Sequence, residues 1–317
     1  MTTPDDVRRA ARTLEGVARR TPVVTSRSVD EVAGASLFLK AECFQRTGSF
    51  KIRGAYTHVS SLDDGVLRRG VLTISSGNHA QAVALAARLA GTSALILMPH
   101  DAPAGKRAAT EAFGGEVRTF DRYAEDRDEV VARAAAETGR HLVHAYDDDR
   151  VIAGQGTVAL ELLEDVPDLD VLVVCVGGGG LIGGCSLTAR ASKPGIRVVG
   201  VEPEARPAAR EALARGGPVK LPVAPTLADG QQTASVGRRN HALMAEHVDE
   251  VVGVTDEEIV RAMRLLFERA KVVVEPSGAS ALGAVLAGRV DLEPGARIGV
   301  TLSGGNVGAE RFAQLVA

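Results

Sequence analysis

The sequence predicts an α/β protein of two closely packed domains built on largely parallel sheets, and three observations carry that prediction. Short β-branched or apolar runs alternate with longer helical patterns from residue 37 onward, the signature of βαβ units. At 317 residues the chain exceeds one simple core, since domains usually hold roughly 100–200 residues. Its apolar residues, 45% of the chain, are mostly Ala, Val and Leu, with few aromatics and 35 Gly, a mix that suits close helix-on-sheet packing.

Taken in order, the predicted strands are LFLKAE (37–42), VLTIS (71–75), SALILMP (93–99), EVRTF (116–120), HLVHAY (141–146), VLVVCVG (171–177), IRVVGVEP (196–203) and ARIGVTLSG (296–304). Between them lie helical stretches, HAQAVALAARLA, APAGKRAATEAFG and TDEEIVRAMRLLFERAK. The last opens on Thr255 with Glu258 three residues later, a capping box in which each residue satisfies the other's free backbone N–H. The stretch 216–240 has no clear period, and a loop that long inside a compact domain is often functional. It is expected to border the active site.

Composition excludes several classes of function. A net charge of −3 with interspersed signs gives no basic stripe for nucleic acid. Cys43, Cys175 and Cys185 form no CxxC pair, so neither a disulfide framework nor a cysteine metal site is expected. The charged, amphipathic N-terminus has no secretory h-region, and no run of about 18 apolar residues suggests a membrane span. A cytoplasmic address is the expectation that remains.

Four motifs carry chemistry. In TGSFKIRGA (47–55) Lys51 follows Phe50, and a lysine desolvated by an aromatic wall can form an imine with an aldehyde cofactor; the alternative is a solvated surface lysine. SSGNHAQ (75–81) follows a predicted strand and opens an Ala-rich helix, where free N–H groups and the helix dipole suit an anion such as a carboxylate. There Asn78 and His79 add donors and the Ser76 hydroxyl can exchange a proton; an ordinary Ser/Asn cap is the alternative. The run Gly177, Gly178, Gly179, Gly180 between strand and helix lets backbone amides wrap a phosphate. With Gly183 and Glu202 it also fits a dinucleotide fingerprint, which keeps an oxidoreductase open. LSGGN (302–306) closes the last strand, placing the Ser303 hydroxyl where it can meet a cofactor ring nitrogen.

In this order the four motifs resemble the fold-type II pyridoxal phosphate enzymes, and within them the serine/threonine dehydratase and serine racemase family. The resemblance extends to GQGTVALELL (154–163), VEP (201–203), LADG (227–230) and VEPSGASAL (274–282). It implies a tryptophan synthase beta-like fold. A large domain would comprise 1–69 and 148–317, and a smaller inserted α/β domain, 70–147, would close over the substrate. It implies pyridoxal 5'-phosphate held by Lys51, with Phe50 against its ring, Asn78 on its ring hydroxyl, Gly177 to Gly180 around its phosphate and Ser303 at its ring nitrogen. Ser75, Ser76, Gly77, Asn78 and His79 would bind the substrate carboxylate, with Arg127 a further substrate residue. Lys51 would remove the α proton, and Ser76 matches the residue that acts on the opposite face in racemases.

The activity implied is an ammonia-lyase (dehydratase) on serine, threonine or 3-hydroxyaspartate, with racemisation on the same site as the alternative and a homodimer as the assembly. A silent amino-acid sensor is disfavoured by the intact lysine. Two departures from the family stand out. Its metal-dependent members use a glutamate, a carbonyl four residues on and an aspartate two further; here those positions are Glu202, Arg206 and Ala208. One carboxylate is missing and a cation sits beside the site, so weak metal binding or none is expected. Only eleven residues follow Asn306, so the regulatory domain of biosynthetic threonine deaminases is not expected.

Overall fold

A computed structural model describes residues 1–222 and 224–317 and arranges ten strands in two sheets. The strands are β1 (Val23–Val24), β2 (Ser36–Ala41), β3 (Val71–Ile74), β4 (Ala94–Pro99), β5 (Gly115–Phe120), β6 (His141–Leu142), β7 (Val171–Cys175), β8 (Arg197–Pro203), β9 (Glu250–Val254) and β10 (Arg297–Leu302). The larger sheet runs β1-β2-β10-β7-β8-β9, parallel except for β1 against β2. The smaller runs β5-β4-β3-β6, all parallel. This is the expected α/β arrangement of two mostly parallel sheets flanked by helices.

Period-two burial explains why the central strands read as continuous apolar runs, since sheets covered on both faces bury every residue. Val171 and Val173 face one core with Leu37, Leu39 and the helix Pro276–Leu286. Leu172 and Val174 face the other, beneath the helices Asp149–Asp165 and Gly180–Ser192. In the smaller sheet, Val71, Ile96 and Met98 meet the helices Lys51–Val59 and Asn78–Leu89, while Leu72, Leu95 and Leu97 meet the helix Arg127–Thr138. The helix Asp149–Asp165 approaches the helices Gly180–Ser192 and Lys51–Val59 closely because glycines face one another. A Cβ at Gly156 would lie 2.9 Å from Gly184 O, and one at Gly154 would lie 2.6 Å from Gly54 Cα.

All eight expected strands are present, with differences that have local causes. HLVHAY pairs only at His141–Leu142, because His144 Nδ1 accepts from the Tyr146 and Asp147 N–H groups and turns the chain out of the sheet. The expected helix to Lys271 is α-helical over Asp256–Leu265, opens into a π turn over Leu266–Ala270 and ends on Lys271 at φ 58°. Its capping box forms in both directions. The short antiparallel β1 and the edge strand β9 were not expected. Of the unpatterned stretch 216–240, Val223 lies outside the described residues. The three cysteines are free thiols. Among the described residues no helix is long and apolar enough to cross a membrane.

Candidate active site

The site forms where the carboxyl ends of β2, β3, β7 and β10 converge, the edge at which open α/β sheets bind ligands. Its centre is the segment Val143–Tyr146, which leaves the small sheet and crosses toward the large one. Lys51 heads the helix Lys51–Val59, and its Nζ donates to Ala145 O at 2.9 Å. The ammonium lies 5.1 Å from the Phe50 ring centroid. Desolvation, with no carboxylate paired to it among the described residues, lowers its pKa to about 8. A buried amine without a counter-charge is more readily deprotonated, which is what a nucleophile toward an aldehyde requires.

Phe50 is buried, and its N–H donates to Ser303 O at 3.1 Å, locking the lysine turn to the end of β10. An antiparallel bridge between Ser49 and Gly304 reinforces this junction. The Ser303 hydroxyl is buried beside Cys175 and Ser277 O. Burial pushes the Cys175 thiol up to about 11, so it is a neutral neighbour.

At the end of β3, Ser75 Oγ accepts from Gly77 N at 3.2 Å and shapes the turn. The helix Asn78–Leu89 starts with no side-chain cap, so its first N–H groups remain available to an anion. No partner bonds the Ser76 hydroxyl among the described residues. His79 is buried, with Nε2 on Val143 O at 3.1 Å, and desolvation holds its pKa well below the usual histidine value. Its ring is therefore neutral and committed to the backbone through Nε2, with Nδ1 buried and without a hydrogen-bond partner among the described residues. Asn78 Nδ2 donates to Glu275 Oε1 at 2.5 Å. Arg127 stands at the exposed margin and donates to Ile74 O at 3.0 Å, directly behind Ser75.

The glycine run follows β7, with Gly179 at φ 90° and the helix Gly180–Ser192 again uncapped by any side chain. A Cβ at Gly178 would collide with the Tyr146 ring, and one at Gly177 would come 3.1 Å from Gln231 Cα. Only bare backbone fits there, and its amides at a helix N-terminus suit a phosphate. These features, with the unpaired lysine, fit pyridoxal phosphate.

Glu202 is not at this site. Its carboxylate accepts from Ala209 N, Arg210 N and Arg210 Nε at 2.7, 3.1 and 3.0 Å and is 2% exposed. It caps the helix Ala208–Arg215 and has no face left for a ribose, which removes a support of the dinucleotide alternative.

Several site residues had no role assigned from sequence. Ala145 contributes a carbonyl, which no side-chain pattern reveals. Tyr146 covers the glycine run, and Asn240 holds it, donating to Tyr146 O and Gly178 O at 3.0 and 2.7 Å. Glu275 and Asn306 lie inside motifs already noted, VEPSG and LSGGN. Gln231 and Asn240 belong to the unpatterned stretch, which thus does border the glycine loop.

A family model described as "Pyridoxal-phosphate dependent enzyme" matches residues 14–304. The L-threo-3-hydroxyaspartate ammonia-lyase of Saccharomyces cerevisiae is 45% identical over 98% of this chain and 95% of its own. The serine racemase of Schizosaccharomyces pombe is 42% identical over 99% of this chain and 97% of its own. The structure of maize serine racemase superposes with a TM-score of 0.95 at 42% identity, covering 99% of this chain and 96% of that one.

Proposed function

This chain belongs to the family of pyridoxal-phosphate dependent enzymes, and from that premise we propose that it is an ammonia-lyase converting a small β-hydroxy-amino acid, serine, threonine or 3-hydroxyaspartate, to a 2-oxo acid and ammonia. The observation that carries the reading is the Lys51 amine, desolvated, lacking a carboxylate partner, and set between the uncapped Ser75–His79 turn and the glycine run.

When bound, pyridoxal phosphate supplies the sink for the electron pair left at the substrate α carbon. The chain's own residues do the rest. Gly177 to Gly180 would offer backbone N–H groups to the phosphate, Phe50 would lie against the ring, Asn78 would meet its hydroxyl and Ser303 would offer a neutral hydroxyl to its nitrogen. The turn Ser75–His79, with Arg127 at its edge, holds the substrate carboxylate. Lys51 takes the α proton as general base, a role suited to an amine with a pKa near the working pH. Residues 70–147 move as one small domain against 1–69 and 148–317 and exclude water on closing.

A racemase reading of the same site is favoured by one observation, the unbonded Ser76 hydroxyl, which is free to return a proton on the opposite face. We further take the protein to be a cytoplasmic homodimer. Its free thiols suit a reducing compartment, and light scattering on a sizing column should give twice the 33.0 kDa chain mass.

We infer that no divalent ion is bound near Glu202. The three bonds on its carboxylate and the buried Arg206, which donates to Pro222 O and Thr233 O, do not fit a hard cation, which needs oxygen ligands with free lone pairs. No metal-binding group of three His, Cys, Asp or Glu occurs among the described residues.

The test of function is the absorbance of the purified protein and of Lys51→Ala, followed by 2-oxo acid detection with L-serine, L-threonine and L-threo-3-hydroxyaspartate. Wild type should be yellow and active, and Lys51→Ala should lose the lysine-bound cofactor band and at least about a thousandfold of activity. A colourless wild type that cannot be loaded with pyridoxal phosphate overturns the reading.

A further inference from the structure

Beneath the cleft runs a chain of three side chains, of which only Asn78 has yet been given a role. Thr47 O accepts from Asn306 Nδ2 at 2.7 Å, the same Nδ2 donates to Asn78 Oδ1 at 2.7 Å, and Asn78 Nδ2 donates to Glu275 Oε1 at 2.5 Å. The direction of every bond follows from its first member. A backbone carbonyl only accepts, so the Asn306 amide must turn its nitrogen to Thr47, and both of that nitrogen's hydrogens are then committed. Asn78 must therefore present oxygen to Asn306 and nitrogen to Glu275. One hydrogen of Asn78 Nδ2 remains for a ligand.

The scaffold around the chain leaves it little freedom. Gly48 sits at φ 70°, and a Cβ there would collide with Asn306 Oδ1; a Cβ at Gly304 would collide with Glu275 Oε1. Gly305 N donates to Gly48 O at 2.8 Å. The relay thus joins three of the sequence motifs, TGSFK, SSGNH and LSGGN, to the VEPSG segment.

We propose that Asn306 and Glu275 are positioning residues for the Asn78 carboxamide: Asn306, which can only donate toward it, fixes its polarity, and Glu275 anchors it by accepting from Nδ2, so that it meets the cofactor's ring hydroxyl with N–H rather than with C=O. The proposal rests on the assignment of Asn78 to that hydroxyl. Without the two flanking groups the amide can flip, and the flipped form presents an acceptor in place of a donor. Glu275 acts here as a neutral acid: burial, with Asp229 second, pushes its carboxyl up to about 8. The groups facing it are Asp229 from the adjoining loop, Lys106 from the helix Ala104–Ala112, which pairs with Asp229, and the Cys43 and Cys175 thiols, whose own pKa values burial raises to about 12 and 11. Glutamine has the shape and the acceptor of a neutral glutamic acid, so it is the conservative replacement.

The experiment titrates the apo-protein with pyridoxal phosphate and follows the visible absorbance and the fluorescence of the bound cofactor, in wild type, Asn78→Ala, Glu275→Gln, Glu275→Leu and Asn306→Asp. Glu275→Gln should match wild type in Kd within about twofold and in spectrum. Asn306→Asp is isosteric and can only accept, so it keeps the interaction testable if Glu275→Leu does not fold. Both should raise Kd about tenfold, the equivalent of one amide hydrogen bond, and move the band toward that of Asn78→Ala. If Asn78→Ala alters the band while Asn306→Asp and Glu275→Leu keep the wild-type Kd and spectrum, the positioning role is overturned and the Asn78 assignment stands. If Asn78→Ala itself leaves band and Kd unchanged, the assignment falls and the positioning role with it.

Discussion

Lys51 and Arg53 stand two residues apart on one helix, both enclosed by protein, and the fold treats their charges in opposite ways. Arg53, fully buried, makes bidentate contact with Glu42 at 2.8 Å through Nε and Nη2 and reaches Glu161 at 2.7 and 2.8 Å. Lys40 joins Glu161 from the other side at 2.7 Å. The two carboxylates raise the Arg53 pKa above its already high value. Lys51 has a single carbonyl and an aromatic ring, and its pKa falls to about 8. The difference separates a cation kept for architecture from one kept for chemistry: pairing Lys51 with a carboxylate would stabilise the fold and lock the proton on the amine.

Removing each cation from the apo-protein should make that contrast visible, and Arg53 gives the largest effect. Arg53→Met leaves Glu42 buried and unpaired, and breaking such a buried network costs about 3–5 kcal/mol. Urea unfolding should show the loss, and a loss under about 1 kcal/mol would break the comparison. Lys51→Met removes a charge that has no counterpart, so the apo-protein should be unchanged or more stable at pH 7. The pH dependence gives the sign. Lys51 has a folded pKa of about 8 against 10.5 in an unfolded chain, so between those values the unfolded state binds more protons and stability rises with pH. Below pH 8 the penalty is fully present; above 10.5 it is gone. The wild-type minus Lys51→Met stability should therefore climb by about 3 kcal/mol across that window. A flat difference would mean that the amine is not desolvated.

Little of this contrast is legible in the sequence. KIR places two cations side by side, and nothing local says which is neutralised, because Glu42 and Glu161 lie 11 and 108 residues from Arg53. The sheets were legible because strands covered on both faces must be apolar at every position, as in VLVVC. Their ends were less so: HLVHAY continues apolar past Leu142, and only the His144 ring catching two backbone N–H groups turns it away. The uncapped helix starts after β3 and β7 could be read from serine and glycine spacing, since backbone availability is a local property. The relay through Asn306 and Glu275 could not, because its order depends on which carbonyl faces which amide across 228 residues.

Arg206 is a further buried cation, and it sharpens the comparison with the smallest expected effect. It is 3% exposed and donates to two loop carbonyls, Pro222 O and Thr233 O, while the nearby Glu202 carboxylate is taken up by the helix start and Arg210. Here neutralisation comes from backbone dipoles that tie the strand-to-helix corner after β8 to the loop bordering the glycine run. A divalent ion would have to displace that guanidinium and strip Glu202 of its donors, of which the buried Ala209 N–H would be left unsatisfied at a cost of about 1–3 kcal/mol. Holoenzyme treated with chelator, then with millimolar Mg2+ or Ca2+, should therefore melt within about 1 °C of the untreated protein and keep its turnover. Stabilisation by several degrees would mean that the ion binds the folded state, and would return the corner at Glu202 to a metal site despite its missing carboxylate.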